Sequence, residues 1–448
     1  MSRRKRFSFS PARRFWQWVS TPLLILAVLA SVLFTFLIWF GSPIPVQSAR
    51  TGFYTSPKLG APSTLTRLFL PHQVWLWTGH QQLYSYPVQS GFVSKLLSAL
   101  HGATTVTVAP AKTAKVRGGT SYLELDYATS GEVGSPIQDL FPSLKQALSV
   151  RSVYIKPDAK RDTLNLIAVD QQGAAFDLRA SGVQLRGLSL TVPGISAVPY
   201  AQIPINGREI RLPYTNSIMP IEVWLLKQQD ISGVIDSYFA DPSAVIPIVD
   251  KNHKTLYTDG LRAVWLSTTS FGPTITYRNP QTGNVIPRTG HSPLDTAVQF
   301  INDHGGFLSN QTSQGISAIK RSTDMTEILF SLSEGGFPVF GQFGSMQCIV
   351  NNGWVVTYRR ALVEPSILEE TQPLHILSGV QLLNLLNPRE LGKIRSIKLG
   401  YGTTLFSSTA IELFPVYQIT YSYGRVYVNA TDGQVFHGTG MTPWTSVE

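Results

Sequence analysis

The stretch MTEILFSLSEGGFPVFGQFGSMQCIVNNGWVVTYRRALVEP, residues 325–365, alternates runs of apolar and β-branched residues with glycine-rich breaks. Residues 327–331, 339–349 and 354–360 read as strands in quick succession, and 316–320 as one that precedes them. Strands this close in sequence pair antiparallel, because a parallel pair needs a long crossover. Within the stretch, GGFPVFGQFG (residues 335–344) has the glycine content of a phosphate cradle. Phe337, Phe340 and Phe343 interleave it and no lysine follows, which predicts a buried hairpin closely approached by another backbone.

Working outward, a helix is expected at 376–386, broken by Asn387-Pro388, with final strands at 394–401, 411–421 and 425–428. Toward the N-terminus, strands at 245–249, 255–257, 261–268 and 274–278 follow a helical stretch expected at 223–239. Ser292-Pro293 starts a helix that His304-Gly305-Gly306 stops, since serine caps the first turn and proline suits its first position. Earlier still, runs at 68–77 and 82–86 flank a turn centred on Gly79 and predict a hairpin, and 92–100 predicts a helix with Val93, Leu96, Leu97 and Leu100 on one side. Strands at 121–127 and beyond, with a helix near 142–148, complete that unit. The fold class is α+β with antiparallel sheets, in about three mixed domains at 65–215, 216–304 and 305–448. A short echo between 277–286 and 427–436 shares Tyr, Asn, Gly and Val at equal offsets, as duplication or turn chemistry would produce.

Ahead of these domains, PLLILAVLASVLFTFLIWFG (residues 22–41) carries no ionisable side chain. Twenty helical residues span about 30 Å, the thickness of a hydrocarbon core, so a membrane helix is expected at 21–41. Arg3, Arg4, Lys5, Arg6, Arg13 and Arg14, with no acidic residue in the first twenty, hold a tail at 1–20 in the cytoplasm and place the bulk of the chain outside. The rival is a cleaved signal peptide, whose apolar core would be unusually long. Ala27, Ser31 and Thr35 recur every four residues and form a small-residue face that a second helix could approach, or that simply meets lipid. Residues 42–64, rich in Ser, Pro and Gly, read as a tether.

The formal charge of +10 suggests nucleic acid until six of those charges are assigned to the tail, leaving +4 elsewhere with no long basic run. The tail is explained by topology and by attraction to anionic membrane lipid. Cys348, the sole cysteine, excludes an intrachain disulfide and reads as a buried, inert thiol. There is no GxSxG, HExxH or GxxxxGK[ST] pattern, and no two of the eight histidines stand four apart on a helix. Glu124 with Asp126 on one strand face, and Glu364, Glu369 and Glu370 near Pro365, are the carboxylates a glycosidase would need, although solvated faces produce the same spacing. These patterns predict no catalytic set, cofactor or metal.

With those residues in view, the 325–365 stretch resembles the core signature of the YycH family: a strand, a Gly-aromatic-Pro-Val-Phe turn, a second strand, and a strand ending near Tyr-x-Arg. Its residues here are Gly336, Phe337, Pro338, Val339, Phe340, Tyr358 and Arg360. LTRLFLPHQVWLW (65–77), LYTDGLRAVWLS (256–267), TYRNP (276–280), IKLGYGTT (397–404) and ELFPVYQI (412–419) match in the same order. The resemblance implies a single-pass extracytoplasmic accessory protein of Gram-positive bacteria that acts with the related YycI on the sensor kinase WalK (YycG) in cell-wall homeostasis. It implies no enzyme activity, and it leaves a homodimer open. The first domain matches the family loosely, and the basic tail is long. The competing class is a tethered binding module for peptide or cell-wall glycan.

Overall fold

The computed structural model describes residues 23–35, 59–78, 82–86, 91–111, 121–127, 135–136, 140–141, 143–144, 149–156, 163–170, 172–183, 198–229, 231–251, 254–280, 292–308 and 313–436. Residues 23–35 form helix α1, a unit by itself, with nearly every side chain exposed. Ala27, Ser31 and Thr35 lie on it, and the Thr35 hydroxyl donates to the Ser31 carbonyl at 2.8 Å. At about 1.5 Å per residue this helix is shorter than a hydrocarbon core. Among the described residues no helix is long and apolar enough to cross a membrane. The other residues of the expected 21–41 anchor, and the 1–20 tail, lie outside the described residues.

Ser56–Glu448 is the second unit. Its first sheet follows a short helix, α2 (Leu65–Leu68), and is built from β1 (Gln73–Trp77), β2 (Leu83–Tyr86), β3 (Thr105–Pro110), β4 (Tyr122–Asp126), β7 (Ser152–Lys156), β8 (Thr163–Val169), β9 (Ala175–Ser181), β10 (Val198–Ile205) and β11 (Arg208–Pro213). Helix α3 (Gly91–His101) intervenes between β2 and β3, and a small ladder joins β5 (Ser135–Pro136) to β6 (Ser149–Val150). The order is β11-β10-β2-β1-β4-β7-β8-β9-β3, every ladder antiparallel. The expected β1–β2 hairpin is present, pairing Val74 with Tyr86. One face is aliphatic: Val74, Leu76, Leu123, Leu125 and Val153 share a core with Val93, Leu96, Leu97 and Leu100 of α3, the side the helical spacing selects. The other face carries Trp75, Glu124 and Tyr154 in one cross-strand row.

The remaining chain forms two sheets that alternate along the sequence. Strand β12 (Ile218–Gln228) is followed by α4 (Ser232–Ser237), then by β13 (Ile246–Val249), β14 (Thr255–Thr258), β15 (Ala263–Thr269), β16 (Gly272–Arg278) and α5 (Pro293–Asp303). Next come β17 (Ser313–Arg321), β18 (Met325–Glu334), β19 (Phe337–Pro338), β20 (Met346–Asn351), β21 (Trp354–Ala361) and the long β22 (Val363–His375). The chain ends with α6 (Gly379–Leu385), α7 (Pro388–Leu391), β23 (Ile394–Ser407), β24 (Ala410–Tyr421), β25 (Arg425–Asn429) and β26 (Val435–Phe436). The second sheet runs β22-β12-β24-β25-β26 with β23 beside β24; the third runs β13-β14-β15-β16-β21-β20-β18-β17 with β19 beside β18. Both sheets therefore combine strands from either side of residue 304, where a boundary between domains 216–304 and 305–448 was expected. The echoed segments enter different sheets, 277–278 in β16 and 427–429 in β25.

The helix expected at 223–239 is instead β12 followed by α4. Val223 and Trp224 are both buried, on opposite faces of a strand flanked by β22 and β24. A strand buried on both faces loses the alternation that distinguishes it from a helix, so pairing rather than local pattern decides. Helix α5 forms as expected: Ser292 Oγ accepts from the Asp295 amide at 3.1 Å, Pro293 opens the helix, and Gly305 and Gly306 follow its end with φ of 109° and 76°.

The end of the expected 42–64 tether is fixed to helix α5 and the segment just after it. Gly60 and Ala61 amides donate to the carbonyls of Gly305 and Phe307 at 2.8 and 3.0 Å, and Ser63 exchanges two bonds with the Asn302 amide side chain. A side chain at residue 60 would overlap the Phe307 carbonyl, which only glycine avoids. Residues 42–58 of the tether lie outside the described residues.

Candidate functional site: a cavity where three sheets meet

The glycine-rich turn of residues 335–344 is the joint between the third and second sheets. Gly335 and Gly336, at φ 55° and 85°, turn the chain so that β19 folds back on β18. Beyond it the Val339 amide donates to Leu332 and the Phe340 amide donates to the Tyr401 carbonyl of β23 at 2.8 Å. Gly400 permits this contact, because a Cβ there would stand 2.4 Å from the Pro338 carbonyl oxygen and 2.6 Å from the Phe340 ring. The expected buried hairpin with close backbone approach is therefore present, with Gly400 as its counterpart. The first sheet is tied to the second by the Asn206 side-chain amide donating to the Gly392 carbonyl at 2.6 Å, and by Gly379 packing on Leu212.

These joints border an open cavity of about 1000 Å³. Gly336, Pro338, Val339 and Phe340 line one side of it. Phe337 is outside that lining, and Tyr358 and Arg360 belong to the core of the third sheet. Tyr358 donates to the Met346 sulfur at 3.3 Å; fully buried Arg360 donates to the Gly306 carbonyl at 2.6 Å, and its Nε has no partner among the described residues. The seven signature residues are thus structural in two separate places, four at the cavity rim.

The first sheet contributes its aromatic face. Glu124 is buried and accepts from Trp77 Nε1 at 3.0 Å and from Arg211 at 2.9 Å, while the Arg211 guanidinium lies 4.9 Å over the Trp75 ring. Burial raises the Glu124 pKa, against the opposing pull of Arg211. Glu124 is accordingly not on a solvated face, as the strand spacing suggested, and its charge is committed to Arg211. Glu364 is buried while Glu369 and Glu370 are exposed on outer β22, so the second carboxylate group is not gathered.

The second sheet supplies cations. Register places Lys398, Gln418 and Tyr427 in one row, with Ser396, Thr420 and Arg425 in the next row of the same face. Lys398 is open to the cavity yet surrounded by the three sheets, and it forms no side-chain hydrogen bond or ion pair among the described residues. Enclosure lowers its pKa; Asp126 opposes that shift and Arg425 adds to it. His72, beside Asp126, is pushed down to about 4 by burial and by Lys398. In total Arg151, Arg208, Arg211, Arg395, Lys398 and Arg425 face Glu124, Asp126 and Glu209. None of these was singled out by sequence apart from the two carboxylates Glu124 and Asp126, since they come from strands far apart along the chain. Behind the hairpin, Glu334 is pushed up to about 7 by burial and by the charge of Glu222.

Among the described residues no group of three His, Cys, Asp or Glu could hold a metal, and Cys348 is fully buried, its thiol pKa raised by burial.

Residues 209–426 match the model of the YycH protein C-terminal domain. The crystal structure of YycH from Bacillus subtilis superposes with a TM-score of 0.64 at 14% identity, covering 84% of this chain and 100% of that one. A protein from Eubacterium rectale aligns with a TM-score of 0.34 (9% identity, 51% and 90% covered), and the YpeB C-terminal domain of Bacillus megaterium with 0.24 (11%, 47% and 96%). Among curated protein sequences none matches the chain. The signature hairpin and the strands around it lie within the matched residues, which form a C-terminal domain of the YycH family.

Proposed function

We propose that this protein is a membrane-anchored, extracytoplasmic regulator of the sensor histidine kinase WalK (YycG), without enzymatic activity, acting together with a YycI-like protein in cell-wall homeostasis. The observation that carries the reading is the YycH domain at residues 209–426, because family membership implies a role in regulating the WalK/YycG system. The uninterrupted apolar run of residues 22–41 and the basic tail before it support an anchor with a cytoplasmic N-terminus held against anionic lipid. Helix α1 presents Ala27, Ser31 and Thr35, small side chains that let a kinase membrane helix approach closely. The exported sheets engage YycI. Contact shifts the kinase between two states by as much as the binding free energy differs between them.

The test replaces residues 22–41 with an unrelated hydrophobic helix and measures kinase association in a membrane two-hybrid assay. Association is expected to vanish; undiminished association removes the helix from the mechanism. A homodimer through the same face would persist when the kinase is deleted and can be read in the same assay.

A further inference from the structure

We propose that the cavity between the three sheets is a binding site for a small anionic ligand carrying two or more carboxylate or phosphate groups, held by Arg151 from the first sheet and by Lys398 and Arg425 from the second. The inference rests on the cavity alone and stands whether or not the protein acts on a kinase.

Charge balance is the first ground. Six cations line the cavity against three carboxylates, and Arg211 already occupies Glu124. Arg151, Lys398 and Arg425 make no ion pair with a described residue. A charge enclosed by protein without a close counter-ion is costly, and a second cation beside it adds repulsion. Lys398, with the three sheets around it, approaches that condition, and Arg425, exposed on the same face of the second sheet across β24, supplies the second cation. An anion between them relieves the repulsion and supplies Lys398 with a counter-ion.

Shape is the second ground. A volume of about 1000 Å³ is at the upper end of small-molecule pockets and far exceeds one chloride or one phosphate ion. The cations come from separate parts of the lining, Arg151 from the residue just before β7 of the first sheet and Lys398 with Arg425 from the second, so a ligand that satisfies both carries separated anionic groups. Gln418 donates to the Tyr427 hydroxyl at 3.0 Å, and Tyr154 adds to the first sheet's part of the lining, which leaves polar and aromatic surface for the body of such a ligand. A ligand of this kind bridges two sheets that also meet at Gly379, Asn206 and Arg208, and so couples occupancy to their spacing.

The test titrates the purified full chain with citrate, and separately with inorganic pyrophosphate, against sodium chloride at matched ionic strength, by calorimetry and thermal unfolding. Saturable binding of at least one of the two, beyond the chloride response, is expected; which one binds separates a carboxylate from a phosphate ligand. The variants Lys398→Gln and Arg425→Gln are each expected to weaken binding by about tenfold or more, the usual cost of losing one charged hydrogen-bonding partner. Lys251→Gln, at an exposed site outside the cavity, should bind as the parent does. Arg151→Gln, in the first sheet's part of the lining, serves if a second-sheet variant unfolds. Identical responses to citrate, pyrophosphate and chloride, or full binding by the folded cavity variants, would overturn the proposal.

Discussion

Replacing Gly400 with alanine tests the joint on which both the cavity and the arrangement of the second and third sheets depend. The new Cβ would lie 2.4 Å from the Pro338 carbonyl oxygen and 2.6 Å from the Phe340 ring. The ring can turn aside, but the carbonyl belongs to the β19 backbone and must retreat by about 1 Å to restore ordinary contact. Retreat on that scale breaks the 2.8 Å bond from the Phe340 amide to Tyr401. Overpacking typically costs about 1–3 kcal/mol and a lost backbone hydrogen bond about 1 kcal/mol. Alanine recovers about 0.4–1 kcal/mol by restricting the unfolded chain, so the net destabilisation is about 1–3.5 kcal/mol. Urea unfolding followed by tryptophan fluorescence reads this as a lowered midpoint. Gly392, with φ −65° and no atom within 4 Å of the place an alanine methyl would take, is the matched control, and its alanine variant should fall within about 0.5 kcal/mol of the parent. If the two variants unfold together, the hairpin is not a joint and the wall it forms is not fixed.

Glu124→Gln leaves Arg211 without its carboxylate and should cost about 2–4 kcal/mol, while the double variant Glu124→Leu/Arg211→Leu should recover much of that loss; equal stability of the two would refute a committed ion pair. Glu334, at about 7 when folded against 4.5 ordinarily, binds a proton in the native state that the unfolded chain has released, so stability is highest below about 4.5 and declines as pH rises through about 7. Discounted for partial solvent screening, that decline is about 1–2 kcal/mol, and a Glu334→Gln variant that keeps the parent's pH slope would contradict it. His304, stacked 4.5 Å from Tyr238 and pushed down to about 3 by burial, acts in the opposite sense: its contribution is complete above 6.5 and is lost as pH falls toward 3, and His304→Phe should flatten that acid limb of the stability profile. Ser292→Ala removes the cap of α5 and should cost about 1 kcal/mol in thermal unfolding, with no effect on binding in the distant cavity.

Local chemistry made much of this protein legible in one dimension. Serine, proline and glycine at 292, 293 and 305–306 bounded α5; the spacing of Val93, Leu96, Leu97 and Leu100 selected the buried side of α3; and phenylalanines among glycines at 335–344 announced a tight, buried hairpin. Each signal acts within one turn of helix or one hairpin, where sequence neighbours are also spatial neighbours. The 325–365 stretch carried the family resemblance for the same reason: it is a continuous run of strands and turns.

Partners distant in sequence could not be read in this way. Whether residues 218–228 are helix or strand depends on β22 and β24, more than a hundred residues downstream, and burial on both faces erases the pattern that would have announced a strand. The interleaving of the second and third sheets across residue 304 likewise depends on pairing alone. Nothing near Lys398 in sequence shows that it shares with Arg425 one wall of a cavity whose other lining residues include Glu124 and Arg211. Amphipathic period, capping and turn preference are short-range energies written into consecutive residues, whereas register and the meeting of charges are settled by which surfaces can be buried together, a property the chain acquires only when its sheets close on one another.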